Sequence, residues 1–87
     1  MYTAKLTSEA LPQLNRLPEK VRGAVLETIT GPLQQEPQRV GKPLLYELAG
    51  LHSARRGDYR IVYQIDKDQR VVRIIRIEHR RDVYRSR

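Results

Sequence analysis

Residues 58–66 read DYRIVYQID, in which apolar and polar residues largely alternate. Successive side chains of a β-strand point to opposite faces of the sheet, so the stretch predicts a strand with two different faces. One face holds aromatic and aliphatic side chains: Tyr59, Ile61, Tyr63 and Ile65. The other face holds Asp58, Arg60, Val62 and Gln64. The first face is predicted to lie in the core, which leaves Arg60 on the outer face.

A second β-branched stretch, RVVRIIRIEH at 70–79, follows a short turn and predicts a partner strand. Apolar residues occupy both of its faces, which is typical of a central strand. The same alternation predicts that Arg73 and Arg76 point to opposite faces. Upstream, LLYEL at 44–48 and LHSAR at 51–55 predict two further strands around Ala49-Gly50.

The first half of the chain predicts one strand and two helices. YTAKL at 2–6 alternates weakly, and Ser8 is the predicted cap of a first helix. Pro18 is the predicted first residue of a second helix, which Gly31-Pro32 ends. Residues 34–44 are predicted to form a loop. The sequence therefore predicts a small single α+β domain, 1–87, of order β-α-α-β-β-β, in which an antiparallel meander sheet packs against a helical hairpin.

Composition and charge narrow the class of partner. The chain has 87 residues, no Cys, and 17 Lys and Arg against 10 Asp and Glu, a formal net charge of +7. Such an excess favours a polyanion, and nucleic acid is the first candidate. Simple solubility, or an acidic protein partner, is the alternative. No apolar run is long enough for a membrane span or a signal peptide, so a cytoplasmic protein with no membrane partner is expected.

Cationic side chains are predicted to gather around the outer face of the sheet. Arg60 lies on that face, and a simple hairpin would bring Arg76 beside it. The other predicted contributors to RNA binding or phosphate stabilisation are Arg80, Lys42, Arg55 and Arg56. Such a cluster would bind several phosphates or stabilise the charge of a cleavage transition state. The alternative is a solvated surface on which carboxylates balance the arginines.

The end of the chain, IEHRRDVYRSR at 77–87, supplies two candidates for proton transfer. His79 can accept or donate a proton near neutral pH. Tyr84 stands among Arg80, Arg81, Arg85 and Arg87, whose charges would favour its phenolate. These cations, Arg85 among them, could also bind RNA by orienting a substrate phosphate. A structural role is the alternative for His79, and docking of the tail on the sheet is the alternative for Tyr84. Metal-ligand spacings and phosphate-cradling glycine loops do not occur, so neither cofactor, metal nor small-molecule substrate is expected.

Three short motifs, in this order and spacing, carry a family resemblance. They are the L-x-G of LAG at 48–50, the R-x-G-D-Y-R-I-V-Y of RRGDYRIVY at 55–63, and the H-R-x-D-V-Y of HRRDVY at 79–84. With the length, the basic charge and the predicted order of elements, the chain resembles the RelE toxins of bacterial toxin–antitoxin systems over essentially its whole length.

The resemblance implies an activity and a set of roles. RelE proteins are ribosome-dependent endoribonucleases that cut messenger RNA in the decoding site without a metal and are inhibited by a RelB-like antitoxin. Arg60 would stabilise the cleaved phosphate, Tyr84 would match the catalytic tyrosine near the C-terminus, and one of Arg80 and Arg81 would match a second catalytic arginine. RelE toxins place lysines where this chain has Leu51 and Ser53, which leaves the base open among His79, Tyr84 and other groups. A ParE-like inhibitor of DNA gyrase and a non-catalytic RNA-binding domain are the alternatives.

Overall fold

A computed structural model describes residues 1–81 and shows one five-stranded sheet with helices on one side. The strands are β1 (Thr3–Leu6), β2 (Lys42–Pro43), β3 (His52–Arg56), β4 (Tyr59–Asp66) and β5 (Val71–His79). The helices are α1 (Ala10–Asn15), α2 (Glu19–Thr30), α3 (Pro32–Gln35) and α4 (Pro37–Val40), with a 3-10 turn at Tyr46–Leu48. None of these helices is long and apolar enough to cross a bilayer.

The strand order is β1-β5-β4-β3-β2, and it confirms the predicted α+β meander. Strands β2, β3, β4 and β5 pair antiparallel with one another in that order. Strand β1 pairs parallel with β5 and lies at the edge of the sheet. A two-residue turn, Gly57-Asp58, joins β3 to β4, and the φ of +60° at Gly57 suits a residue without a side chain. Beyond the end of β1, Gln13 of α1 accepts a hydrogen bond from the main-chain N–H of Ile77 and so continues the protection of the β5 edge.

The core lies between the sheet and the helices, as the alternation of β4 predicts. Ile61 and Tyr63 are fully buried, and Tyr59 and Ile65 are half-buried against the same cluster. The helices contribute Ala10, Leu14, Val25, Ile29 and Leu33. Val62, on the other face, is also fully buried, so neighbouring side chains of that face cover it.

A β-bulge in β5 changes the face of one arginine. Val62 pairs with Arg76, but the next residue of β4 pairs with Ile74, so Ile75 is the extra residue. Arg73 pairs with Gln64, which shares a face with Val62. The prediction that Arg73 and Arg76 point to opposite faces is therefore wrong, because the bulge shifts the alternation by one residue.

The segment before β3 differs from the predictions in two places. Residues 34–44, predicted as a loop, contain the end of α3, all of α4 and β2; α3 and α4 each begin with a proline, which is well suited to the first helical position. The predicted strand at 44–48 is absent, because the chain leaves the sheet after Leu44 donates a hydrogen bond to Leu51 and then forms the 3-10 turn. The cap of α1 is also different: the hydroxyl of Thr7, not of Ser8, accepts a hydrogen bond from the N–H of Ala10 at 3.1 Å.

Candidate functional site

The sheet face opposite the helices, called here the open face, carries two transverse rows of side chains. Directly paired residues of antiparallel strands lie on the same face about 5 Å apart, so the pairing gives each row. The first row is Lys42, Ser53, Val62 and Arg76. The second row is Arg55, Arg60 and Glu78. The two rows therefore contain one carboxylate and four of the six cations that the sequence predicts to gather on this face.

Arg60 is fixed in place by Glu78. Its Nε and Nη2 both donate to the same carboxylate oxygen of Glu78, at 3.3 and 2.9 Å. Both side chains are largely buried, 21% and 11% exposed. Such a charge-assisted pair orients the guanidinium, and Nη1 has no protein hydrogen-bond partner within residues 1–81. The sequence places Arg60 on this face but does not reveal that Glu78 holds it.

The two neighbouring arginines of β3 separate onto opposite faces. Arg55 pairs with Arg60 and is exposed on the open face. Arg56 instead reaches helix α2, where it donates to the carboxylate of Glu27 and the hydroxyl of Thr28, each at 3.2 Å. The predicted inclusion of Arg56 with the others is therefore not supported by its position, because alternation turns it toward the helices.

Arg76 and Arg80 lie at two sides of the cluster. Arg76 shares the open face with Arg60, as a simple hairpin predicts, and its Nε lies 3.8 Å from a carboxylate oxygen of Glu9. Arg80 follows β5; its main-chain N–H donates to the carbonyl of Asp58, and its Nε lies 3.9 Å from the Asp58 carboxylate. Each of these cations therefore has one nearby carboxylate, and Arg80 is largely exposed.

His79 lies on the helical side of the sheet. It pairs with Tyr59, and the two rings meet edge to face with centroids 5.0 Å apart. Its Nδ1 accepts a hydrogen bond from the main-chain N–H of Arg81, so the ring proton of the neutral form lies on Nε2. The structure does not bring His79 to the face of Arg60, contrary to the expectation that the strand end delivers both to one site. Tyr84 and Arg85 lie outside the described residues.

A cleft of about 730 Å³ opens beside the two rows. It is bounded by the segment from Val40 to Leu48 on one side and by β3 and β4 on the other. Its cationic side chains are Lys42, Arg55 and Arg60. Its rim carries Leu45 and Tyr46, which are 67% and 87% exposed. Sequence reasoning missed this rim because LLYEL has the composition of a strand.

Lys42 stands directly opposite Ser53, a position where the resemblance to RelE toxins implies a lysine. A cation therefore reaches the open face from β2, although β3 carries a serine. Leu51, at the other position, lies just before β3 and is half-buried.

Tyr63 forms hydrogen bonds that position the segment before Lys42. Its hydroxyl donates to the carbonyl of Pro37 at 2.7 Å and accepts from the N–H of Gly41 at 3.0 Å. A Cβ on Gly41 would lie 2.5 Å from the carbonyl oxygen of Ser53 and 2.6 Å from the Tyr63 hydroxyl, so this close approach requires glycine. Burial raises the pKa of Tyr63, and the hydrogen bond from Gly41 opposes that rise.

His52 lies on the helical side, where its ring stacks on Tyr63 with centroids 5.5 Å apart. Its Nδ1 is buried without a hydrogen-bond partner in the described part of the chain. Burial lowers the pKa of His52, because the charged imidazolium is poorly solvated there. His52 is therefore a support of Tyr63 and lies away from the open face.

Comparisons with known proteins agree on a family. The model of the ParE toxin of type II toxin–antitoxin systems matches residues 4–84. Toxin RelG of Mycobacterium tuberculosis is 50% identical over 84 residues, covering 97% of each chain. Toxin RelE of the same organism is 51% identical over 84 residues, covering 97% of this chain and 87% of the relative.

Solved structures extend the comparison. The toxin–antitoxin complex RelBE2 from M. tuberculosis matches with a TM-score of 0.86 and 49% identity, covering 90% of this chain and 96% of that chain. The isolated RelE toxin of E. coli matches with a TM-score of 0.77 and 18% identity over the whole of both chains. The second likeness concerns the fold alone.

Proposed function

Because this chain belongs to the RelE/ParE family of toxins of type II toxin–antitoxin systems, we propose that it is a ribosome-dependent endoribonuclease that cuts messenger RNA in the ribosomal A site. The observation that supports the proposal most directly is the pair Arg60–Glu78 among the cations of the open face. It provides an oriented guanidinium whose Nη1 has no hydrogen-bond partner among residues 1–81, at the wall of a cleft of about 730 Å³.

The proposed reaction needs no metal. The ribose 2′-oxygen attacks the adjacent phosphorus, a new O–P bond forms, and the bond from phosphorus to the 5′-oxygen breaks. The 2′-hydroxyl loses its proton to a base, and the departing 5′-oxygen receives one from an acid. The products are a 2′,3′-cyclic phosphate and a 5′-hydroxyl. Charge accumulates on the phosphate oxygens in the transition state, where fixed cations are most effective.

Different residues of the open face are proposed to have different roles in binding and cleaving RNA. Arg60 is proposed to stabilise the charged phosphate, since Glu78 holds its guanidinium in one orientation. Lys42 and Arg55 are proposed to bind the flanking phosphates, and Arg76 extends the same surface. Arg56 is left out of this set because it binds α2.

Proton transfer is proposed to involve the end of the chain. His79 accepts the Arg81 N–H through Nδ1 on the helical side, which makes it a poor candidate for a base acting at Arg60. Tyr84 remains the proposed general acid or base, and Arg80, Arg81 and Arg85 remain the proposed cations around it. These roles follow from the RelE resemblance and from the charges of the sequence.

A RelB-like antitoxin is the proposed partner that keeps the toxin inactive, in the cytoplasm. An acidic antitoxin segment would neutralise the cations of the open face and block RNA from the cleft. The solved relatives include toxin–antitoxin complexes, among them RelBE2 of M. tuberculosis.

A second function is supported by the family model, which describes a ParE toxin. A ParE-like toxin would inhibit DNA gyrase and would not use Arg60 to cut RNA. The open face would then serve at most as a binding surface.

The deciding experiment is primer extension on a messenger RNA in a purified translation system, with and without ribosomes. Wild-type protein is expected to produce codon-spaced cuts only when ribosomes are present, and both Arg60→Ala and Tyr84→Phe are expected to abolish them. A folded wild-type protein that makes no cuts but blocks gyrase in a supercoiling assay would establish the second function instead.

A further inference from the structure

Tyr46 combines two unfavourable properties. It is 87% exposed, so its ring gains almost nothing from burial. Its φ is +58°, in the left-handed region that bulky side chains rarely adopt. Burial of the ring therefore does little to offset the backbone strain, and strain of this kind is concentrated at functional sites.

The position of Tyr46 relates it to the cations. It begins the 3-10 turn at Tyr46–Leu48 and forms, with Leu45, the apolar rim of the cleft. Among residues 1–81, the charged residues that line this cleft are Lys42, Arg55 and Arg60, and none of its lining residues there is a carboxylate. Glu78 contacts Arg60 from β5, outside the lining. The cleft therefore places an exposed aromatic ring at the edge of a cationic wall.

A single-stranded nucleotide has the complementary chemistry. Its phosphate requires cations, and its base has a flat face that stacks on aromatic side chains. An acidic peptide would also be attracted to the cations, but it has no general need for an exposed aromatic ring. The combination of ring and cations therefore favours RNA as the occupant.

We propose that Tyr46 is a base-stacking residue, which holds one unpaired RNA base at the rim of the cleft while Lys42 and Arg55 bind the adjoining phosphates. The inference rests on the proposed function, since it assigns a substrate contact to the same surface. It also specifies that the cleft alone, without the ribosome, binds a nucleotide. Tyr46 makes no contribution to proton transfer.

The experiment measures the binding of fluorescent RNA pentamers at low salt. The pentamers carry 2′-O-methyl groups, which prevent attack by the 2′-oxygen and so separate binding from cleavage. Tyr46→Leu and Tyr46→Gly are expected to weaken binding by about tenfold, whereas Tyr46→Phe keeps the ring and the wild-type affinity. Leu11→Ala is the matched control, because Leu11 is an exposed apolar residue of α1 outside the cleft.

A set of pentamers, each lacking one base, identifies stacking directly. The penalty of Tyr46→Gly is expected to disappear with one of these abasic pentamers, because the ring then has no base to hold. Glycine adopts a positive φ without strain, so the thermal midpoint of Tyr46→Gly is expected to equal or exceed that of wild type, which excludes unfolding as the cause.

Three results would overturn the inference: no binding by wild-type protein, equal binding by Tyr46→Gly, or a penalty that remains with every abasic pentamer. If Tyr46→Gly weakens only the binding of an antitoxin peptide, the rim is an antitoxin contact and the inference fails. Primer extension with wild-type protein tests the nuclease separately. Stacking without cuts would retain the inference and refute the nuclease.

Discussion

Arg60 and Glu78 form a largely buried ion pair across β4 and β5, with Nη2 of Arg60 2.9 Å from the carboxylate oxygen. The pair links stability to the proposed activity, because the same guanidinium that faces the cleft also satisfies the carboxylate. Removing Arg60 is therefore expected to affect both stability and RNA cleavage, and the two effects must be measured separately.

We expect Arg60→Ala to lower the free energy of unfolding by about 1–3 kcal/mol, since it leaves the buried carboxylate of Glu78 without its partner. The double variant Arg60→Ala/Glu78→Ala is expected to recover much of that loss, because the stranded charge is gone. Urea denaturation measures both. RNA cleavage is expected to remain absent in the double variant, and its return together with stability would show that Arg60 only supports the fold.

The contact of Gly41 with the sheet gives a second prediction. Gly41→Ala is expected to destabilise the protein by about 1–3 kcal/mol, because the new methyl group would meet the Ser53 carbonyl and the Tyr63 hydroxyl. Gly23→Ala is the control. A Cβ at Gly23 meets nothing within 4 Å, and alanine favours the interior of α2, so this change is expected to stabilise by about 0.5–1 kcal/mol. Equal urea midpoints for the two variants would contradict the packing of Gly41.

The burial of His52 gives a prediction about pH. Its pKa is lowered in the folded state, so the unfolded chain binds a proton first as the pH falls. Stability from this residue is therefore present above the unfolded pKa of about 6.5 and is lost as the pH falls below it. Urea midpoints of wild type between pH 7.5 and 5 are expected to fall more steeply than those of His52→Phe, which keeps a ring against Tyr63. Parallel curves would show that His52 does not contribute.

The sequence predicts much of the fold because the order of apolar and polar residues in β4 indicates which face of the strand is buried. Tyr59, Ile61, Tyr63 and Ile65 alternate with mostly polar residues, Val62 being the exception, and the strand lies where the pattern places it. Local patterns do not encode the bulge at Ile75, because the extra residue is set by pairing between two strands. The exposed turn at Tyr46 is not predicted by the sequence either, because the apolar run from Leu44 to Tyr46 is typical of a strand.

The candidate site was predicted in part for the same reason. Alternation places Arg60 on the open face, and the hairpin brings Arg76 to it. The partner of Arg60 does not follow from local sequence, because it depends on the register between β4 and β5. The face of His79 does follow from alternation, since His79 lies three residues after Arg76 in β5 and therefore on the opposite face. Positive charge alone does not predict which arginines belong to the site. Arg56 has the same charge as Arg55, but its position in the strand directs it to Glu27.

In the proposed function, the open face of the sheet acts on RNA, and positive charge elsewhere on the protein does not. Substitutions of Arg55 and Arg56 distinguish the two possibilities, because these adjacent residues of β3 carry the same charge on opposite faces of the sheet. The salt bridge of Arg56 with Glu27 is exposed and contributes at most about 1 kcal/mol, so Arg56→Ala is expected to remain folded.

The measurement is ribosome-dependent cleavage by primer extension, with Arg55→Ala and Arg56→Ala compared at equal concentrations and several salt concentrations. Arg55→Ala is expected to reduce cleavage about tenfold and to weaken its dependence on salt, while Arg56→Ala cuts as wild type does. If both variants lose cleavage equally, or if Arg56→Ala loses more with its fold intact, the open face is not the surface that acts on RNA.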